Sequence, residues 1–369
     1  MKFNYEELRN CKNITELAEK LIGKAQKRIA LLSLVFEESD GVSRVVEQQA
    51  RELNENGYDV EILAFRGDMK PPEGVKLKIL GIPSNFYLGK VYQLLCPLNV
   101  FFLLRQVYYL KSFALLIAHR YPLTLLAYIT SRLFSIPYVV WHYDTPELSA
   151  LSNPLQRIFV RLLEYLEEKS WIVKNAHVVC SMSKSSQEIL KKKSGVESLL
   201  ITDRTVSRFK NMSPDYSIFE EHGISKNDPL ILFVGRISPT KNIHKLIEVF
   251  DLVRKEIPKA KLIIVGEPTV PSYFKQLREQ ASENVIFTGF ISDEKLLALY
   301  KVCKVYATCS LMEGWNLPPD EAQEFGCKVV AFDVPGIRDP FRRGMLIEAG
   351  NYEKFVKTLI EMIREEYQR

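Results

Sequence analysis

The sequence predicts an α/β protein of two consecutive domains, each a doubly wound parallel sheet. Three observations carry this. Short apolar runs of strand length alternate with segments whose apolar residues recur at helical spacing, and the alternation runs through two series. A polar, turn-rich segment at 208–228 separates the two series. In the second series the runs at 230–235, 261–266 and 284–289 each end in glycine, which lets a chain turn sharply out of a strand. The 369 residues suffice for two domains, each with its own core.

The elements follow in order. The run RIALLSLVF at 28–36 reads as a buried strand, preceded by an extra N-terminal helix and followed by a loop around Gly41. Val42, Val45, Val46, Ala50 and Leu53 then repeat at helical spacing, and Asn56-Gly57 stops the helix. YDVEILAF at 58–65 is the next strand, which makes a strand–helix–strand unit. Strands at 114–118, 137–142 and 177–182 alternate with helices at 122–135, 154–174 and 184–194, and LLIT at 199–202 closes the first sheet. The segment 208–228 reads as a linker with a short helix. Strands at 230–235, 261–266, 284–289, 304–309 and 328–333, with helices near 242–256 and 271–282, make the second sheet. The expected boundaries are a Rossmann-like domain at 1–212, a second at 213–350, and a terminal helix at 351–369.

Bulk properties exclude several classes. A composition 47% hydrophobic and 26% charged is that of a soluble globular chain. A formal net charge of +5 is too small an excess to argue for nucleic-acid binding. None of the six cysteines forms a C-x-x-C pair, and the five histidines lack metalloprotease spacing, so no metal site is expected. A disulfide framework is not expected in a chain of this size, and MKFNYEELRNCKN is too polar for a signal peptide. The expected location is therefore cytoplasmic. The most apolar region, Phe86 to Ala118, is interrupted by Lys90, Pro97, Arg105 and Lys111, which argues against a membrane span.

Two clusters carry chemistry. Gly235-Arg236-Ile237-Ser238-Pro239-Thr240-Lys241-Asn242 lies between a strand and a helix. Gly235 permits a close backbone turn, and Arg236 and Lys241 place two cations where amides of a helix start also point. That combination suits a diphosphate. A solvated loop with ordinary surface cations accounts for this cluster, taken alone, about as well. The second cluster, Glu313-Gly314-Trp315-Asn316-Leu317-Pro318-Pro319-Asp320-Glu321, runs into a helix that opens at its prolines. The prolines have no N–H, so ligand-facing amides fall to Trp315, Asn316 and Leu317. A carboxylate accepts two hydroxyl hydrogen bonds, which suits Glu313 and Glu321 to sugar or ribose recognition. The plainer alternative is that Glu321 complements the helix dipole and Glu313 is solvated.

Glu313-x7-Glu321, with Gly314 and Leu317-Pro318 inside it, resembles the signature of retaining glycosyltransferases of family 4, which have the GT-B fold. Gly235-Arg236 with Lys241 resembles that family's diphosphate-binding loop, and Val265-Gly266 and the run Val285 to Phe290 also fit its pattern. The resemblance covers nearly the whole C-terminal half and is weaker before it. There Gly41 resembles the glycine-rich acceptor-side loop, and His142 the histidine that faces the donor sugar; outside the resemblance, a satisfied structural histidine is the better reading of His142.

The resemblance implies a hexosyltransferase that retains configuration and takes a UDP- or GDP-linked sugar as co-substrate, without metal or other cofactor. Arg236 and Lys241 would neutralise the leaving diphosphate, the largest electrostatic demand of such a reaction. Glu313 would contact the transferred sugar, Glu321 the ribose hydroxyls, and Gly289 and Phe290 the neighbourhood of the base. The chain departs from the family at Trp315-Asn316, where an aromatic and a glycine are usual, and at Asp203-Arg204-Thr205-Val206 and Val334-Pro335-Gly336-Ile337-Arg338. The final helix of this fold often crosses back toward the first domain.

Acceptors in the family are carbohydrates, lipids and proteins. Residues 86–118, and 152–173 with Arg157, Arg161 and Trp171, combine aromatic and aliphatic residues with cations, which suits a bilayer surface as well as a domain core. Two other function classes compete. A non-catalytic nucleotide-sugar-binding subunit would bind donor without turnover. A nicotinamide-dependent oxidoreductase would carry G-x-G-x-x-G after a strand, which this sequence lacks.

Overall fold

The computed structural model describes residues 5–24, 27–38, 40–81, 92, 95–143, 158, 161–162, 165, 171–202, 208–311, 313 and 315–367. The chain forms two compact units, residues 1–203 and 204–369.

The first unit begins with two helices, α1 (Tyr5–Leu8) and α2 (Ile14–Ile22). Asn13 caps α2 by accepting from Glu16 N, and Ile14, Leu17, Ala18 and Leu21 form its buried stripe. Then come β1 (Arg28–Phe36), α3 (Gly41–Glu55), β2 (Asp59–Gly67), β3 (Lys76–Ile79), α4 (Val100–Leu110), β4 (Leu115–Ala118), α5 (Leu123–Phe134), β5 (Tyr138–His142), α6 (Trp171–Lys174), β6 (Val178–Ser181), α7 (Lys184–Ser194) and β7 (Leu199–Leu200). The sheet is parallel, in the order β3-β2-β1-β4-β5-β6-β7. Its central strands are buried throughout, as in LLIA of β4 and YVVWH of β5. Strands covered by helices on both faces need such uniform runs. Of the helix expected at 154–174, residues 158, 161–162, 165 and 171–174 are described and are helical, and the others lie outside the described residues.

The second unit opens with α8 (Ser217–Glu221) and continues through β8 (Leu230–Val234), α9 (Ile243–Glu256), β9 (Lys261–Val265), α10 (Pro271–Gln280), β10 (Val285–Gly289), α11 (Asp293–Val302), β11 (Val305–Thr308), α12 (Leu317–Glu324), β12 (Lys328–Phe332), α13 (Pro335–Arg338), β13 (Gly344–Ile347) and α14 (Tyr352–Tyr367). Its strand order is β10-β9-β8-β11-β12-β13, again parallel. The terminal helix α14 buries Phe355, Leu359, Met362 and Ile363 in this unit's own core. Both sheets are therefore doubly wound, and the order reverses at β1/β4 in the first and at β8/β11 in the second. Ligands of open α/β sheets bind beyond the carboxyl ends of the strands at such reversals.

Candidate functional site

In the second unit, the loops after β8 and β11 carry the two sequence clusters, and they meet at the reversal point. Gly235 leaves β8 at φ 153°, and its N–H donates to Val265 O at 2.9 Å. Beside it, Gly266 at φ 134° approaches so closely that a Cβ would lie 2.2 Å from Gly235 O. Only glycine fits there. Arg236, next in sequence, is exposed. Pro239–Lys241 forms a single 3-10 turn, and Asn242 follows in the left-handed region at φ 55°. The helix expected near 242–256 forms at Ile243–Glu256, and the 3-10 turn before it puts Lys241 on a short arch. The buried Asn242 carboxamide pins that arch, donating to Cys309 O and Tyr352 Oη, both at 3.1 Å.

Lys241 Nζ lies 2.6 Å from both carboxylate oxygens of Glu313, across 72 residues of sequence. Lys241 is 17% and Glu313 8% exposed at the side chain. Asn316, buried at the N-cap of α12, donates Nδ2 to Glu313 Oε1 at 3.0 Å. Its own N–H donates to Gly336 O at 3.0 Å, and Gly336 N–H returns to Glu313 O at 3.1 Å. Glu313 is thus held by a cation, an amide and the neighbouring α13 turn. The solvated Glu313 of the plainer sequence alternative is not what forms. Trp315 Nε1 is buried without a hydrogen-bond partner, an arrangement that costs free energy unless something accepts from it. Leu317 is the first residue of α12. Gly314 lies outside the described residues.

Glu321 lies one turn into α12 and is 2% exposed. Its Oε2 accepts from Arg208 Nη2 at 3.1 Å and Tyr300 Oη at 2.9 Å. Burial beside the Glu321 carboxylate pushes the Tyr300 hydroxyl pKa well above its ordinary value. Arg208 and Tyr300 escaped sequence reasoning, although a buried carboxylate demands a cation and donors. Gly289 ends β10 at φ 71° with open space beside it, and Phe290 is 42% exposed.

The first unit places its candidates around its own reversal point. Gly41 is not in a loop: it opens α3, because Asp40 accepts from Ser43 N and starts the helix one residue before it. Ser39, part of the expected loop, lies outside the described residues. His142 ends β5 in the interior, with Nδ1 3.3 Å from Ser186 Oγ. A second histidine, His119, follows β4 and is wholly buried, its Nδ1 3.0 Å from Tyr143 Oη. Burial drives its pKa down to about 3, with Arg120 adding to the effect. The signal that singled out His142, a histidine at a strand's carboxyl end, was equally present at His119. Among the described residues no group of three His, Cys, Asp or Glu side chains is placed to hold a metal.

Comparison with known proteins divides the chain the same way. Residues 39–202 match the family described as Glycosyltransferase Family 4, and residues 216–369 match Glycosyl transferases group 1. The serotype-specific mannosyltransferase WbdA of Escherichia coli is 28% identical over 160 residues, 42% of this chain and 19% of that protein. The putative glycosyltransferase EpsD of Bacillus subtilis is 28% identical over 162 residues, 42% of each chain. The match therefore spans less than half the length of either relative. HepE from Anabaena, crystallised with UDP and glucose, superposes with a TM-score of 0.71 at 18% identity, over 93% of this chain and 91% of that one. WaaG, a glycosyltransferase involved in lipopolysaccharide biosynthesis, gives 0.66 at 15%, over 91% and 90%. At these identities the structural likeness establishes the GT-B fold.

Proposed function

We propose that this chain, a GT-B glycosyltransferase by its two domain families, is a retaining hexosyltransferase that moves a sugar from a UDP- or GDP-linked donor to a hydroxyl acceptor without metal. The carrying observation is the meeting of Lys241 and Glu313 at the β8/β11 reversal, beside a glycine turn that only glycine can make. A diphosphate needs cations there, and a hexose needs a carboxylate beside them. Arg236 and Lys241 take the diphosphate. Glu313 takes the sugar hydroxyls, with Trp315, Asn316 and Leu317 around it. Gly289 and Phe290 border the base. Glu321 takes the ribose hydroxyls while Arg208 and Tyr300 hold its Oε2 in place. His142 and the Gly41 helix start belong to the acceptor side, whose substrate is a carbohydrate, a lipid-linked sugar or a protein.

Thermal unfolding with a panel of UDP- and GDP-sugars, in buffer without divalent metal, tests the reading on wild type and on Arg236→Ala/Lys241→Ala. A ligand that binds only the folded state raises its stability. One donor class should protect wild type and not the variant; protection of neither by any donor removes the assignment. NMR of the product's anomeric signal tests retention. Asn316, packed on Glu313 where the family pattern has glycine, favours one alternative: a subunit that binds nucleotide sugar without turning it over. Donor binding with no transfer or hydrolysis would establish that alternative.

A further inference from the structure

The first unit exposes a helix face that water should not tolerate. Helix α4 buries Gln106, Val107 and Leu110 against the sheet. Its opposite face is also apolar: Val100 is 59% exposed, Phe101 88%, Leu104 57% and Tyr108 67%. A helix that is apolar all round is ordinarily covered on every side. The residues among them on that face are cations: Arg105 is exposed, and Lys111 sits with Nζ 3.5 Å over the Tyr108 ring.

The surface continues onto neighbouring elements with the same chemistry. Helix α5 packs beside α4 and ends in exposed Arg132, Leu133 and Phe134. Trp171 of α6, 61% exposed, stands edge-on to Tyr128 of α5 at 5.3 Å, and Lys174 follows one turn later. From 74 to 143 the sequence holds seven Lys and Arg and no Asp or Glu, in a chain with 45 acidic residues overall. Helices α4 and α5 therefore bring cations and no carboxylate to this face, which disfavours a second copy of the same positive surface. Aromatic and aliphatic side chains interleaved with cations complement a bilayer carrying anionic headgroups. Among the described residues no helix is long and apolar enough to cross a membrane.

We propose that the α4–α5–α6 face of the first unit docks on an anionic lipid bilayer, with Phe101, Leu104, Tyr108 and Trp171 entering the headgroup–acyl boundary and Arg105, Lys111, Arg132 and Lys174 contacting headgroups. This needs no assumption about the nucleotide-sugar chemistry of the second unit, and its test measures no activity.

The test is flotation of the full chain with vesicles of phosphatidylcholine alone and of phosphatidylcholine mixed with phosphatidylglycerol, at low and high salt. Wild type should float with the mixed vesicles at low salt, less at high salt, and poorly with the neutral ones. Arg105→Gln/Lys111→Gln should weaken partitioning on the order of thirtyfold, taking the usual contribution of a basic residue near an anionic surface. Phe101→Ser/Tyr108→Ser should weaken it without altering its salt dependence. Both pairs are exposed, so the variants keep the fold, and Leu252→Ser, exposed in the second unit, is the matched control. Absence of flotation, equal flotation with neutral vesicles, or flotation that neither double variant reduces overturns the proposal. So does a dimer in solution that Phe101→Ser/Tyr108→Ser converts to monomer, since the face would then join two copies.

Discussion

Glu313→Gln probes the candidate donor site most directly, because it removes one charge and almost no volume. In the unliganded protein both Glu313 oxygens lie 2.6 Å from Lys241 Nζ, with 8% of the carboxylate side chain and 17% of the lysine exposed. Breaking a fully buried ion pair costs about 3–5 kcal/mol, because one charge is left without a partner. Here the lysine keeps some access to water, and the new carboxamide can still bond to Asn316, so about 2 kcal/mol is the expected loss. In a domain the size of the second unit that lowers the melting temperature by roughly 4–8 °C. Ligand binding should move the other way. A diphosphate must draw Lys241 from Glu313 in wild type, whereas in the variant Lys241 waits unpaired. UDP or GDP, which carry no sugar for Glu313 to hold, should therefore bind about tenfold more tightly, a gain of about 1.4 kcal/mol. Titration calorimetry with the free nucleotide, beside thermal unfolding without it, measures both effects. A variant that is less stable and binds nucleotide no better than wild type would refute the charge exchange.

Gly266→Ala should lose at least about 3 kcal/mol and abolish donor protection, since its Cβ would meet Gly235 O at 2.2 Å and its φ of 134° suits no side chain; a melting temperature within a degree of wild type would contradict this. Glu321→Gln should cost about 2 kcal/mol by removing the nearer carboxylate from Arg208, whose side chain is 11% exposed and which keeps Asp293 at 3.9 Å, and a double-mutant cycle with Tyr300→Phe should show coupling between the two. His119 gives a pH signature. Its folded pKa is pushed down from 6.5 to about 3, so below pH 6.5 the unfolded chain takes up a proton that the folded one refuses. Its contribution is thus full above pH 6.5 and lost as pH falls toward 3, at about 1.4 kcal/mol per pH unit. Urea unfolding at pH 7 and pH 5 should show a smaller loss in His119→Gln than in wild type; parallel losses would mean that the ring is protonated when folded.

The strands at the centre of each sheet were readable because covered parallel strands must be apolar on both faces, as LILFV of β8 and KVVAF of β12 are. One edge strand of each sheet gave no such signal: KLKI of β3 alternates with lysine, and GMLI of β13 buries only Ile347. Helix α11 was missed for the opposite reason. Leu296 to Tyr300 are consecutively buried, which erases the 3.6-residue period, and only the Ser292 cap before Asp293-Glu294 marked its start. At the site, the residue types of Gly235, Lys241 and Glu313 were legible locally. Their contact was not, because β8 and β11 become neighbours only through the strand order.

Two acidic residues, eight positions apart in one motif, end up in different electrostatic situations, and the difference sorts their roles. Glu313 precedes α12 on a loop, and its lysine partner lies on the arch after β8, itself partly open to water. That pair can separate when an anion offers Lys241 an equivalent partner, which leaves the Glu313 carboxylate to accept from sugar hydroxyls. Glu321 lies inside α12 with Arg208 and Tyr300 on one oxygen, and both donors are anchored by aromatic packing, Arg208 over Phe209 at 4.6 Å and Tyr300 against Phe325 at 6.0 Å. Its charge cannot be exchanged without opening the core around it. Glu313→Gln and Glu321→Gln should therefore differ in kind: the first makes nucleotide binding tighter at a modest cost in stability, whereas the second weakens both the fold and the hold on the nucleotide.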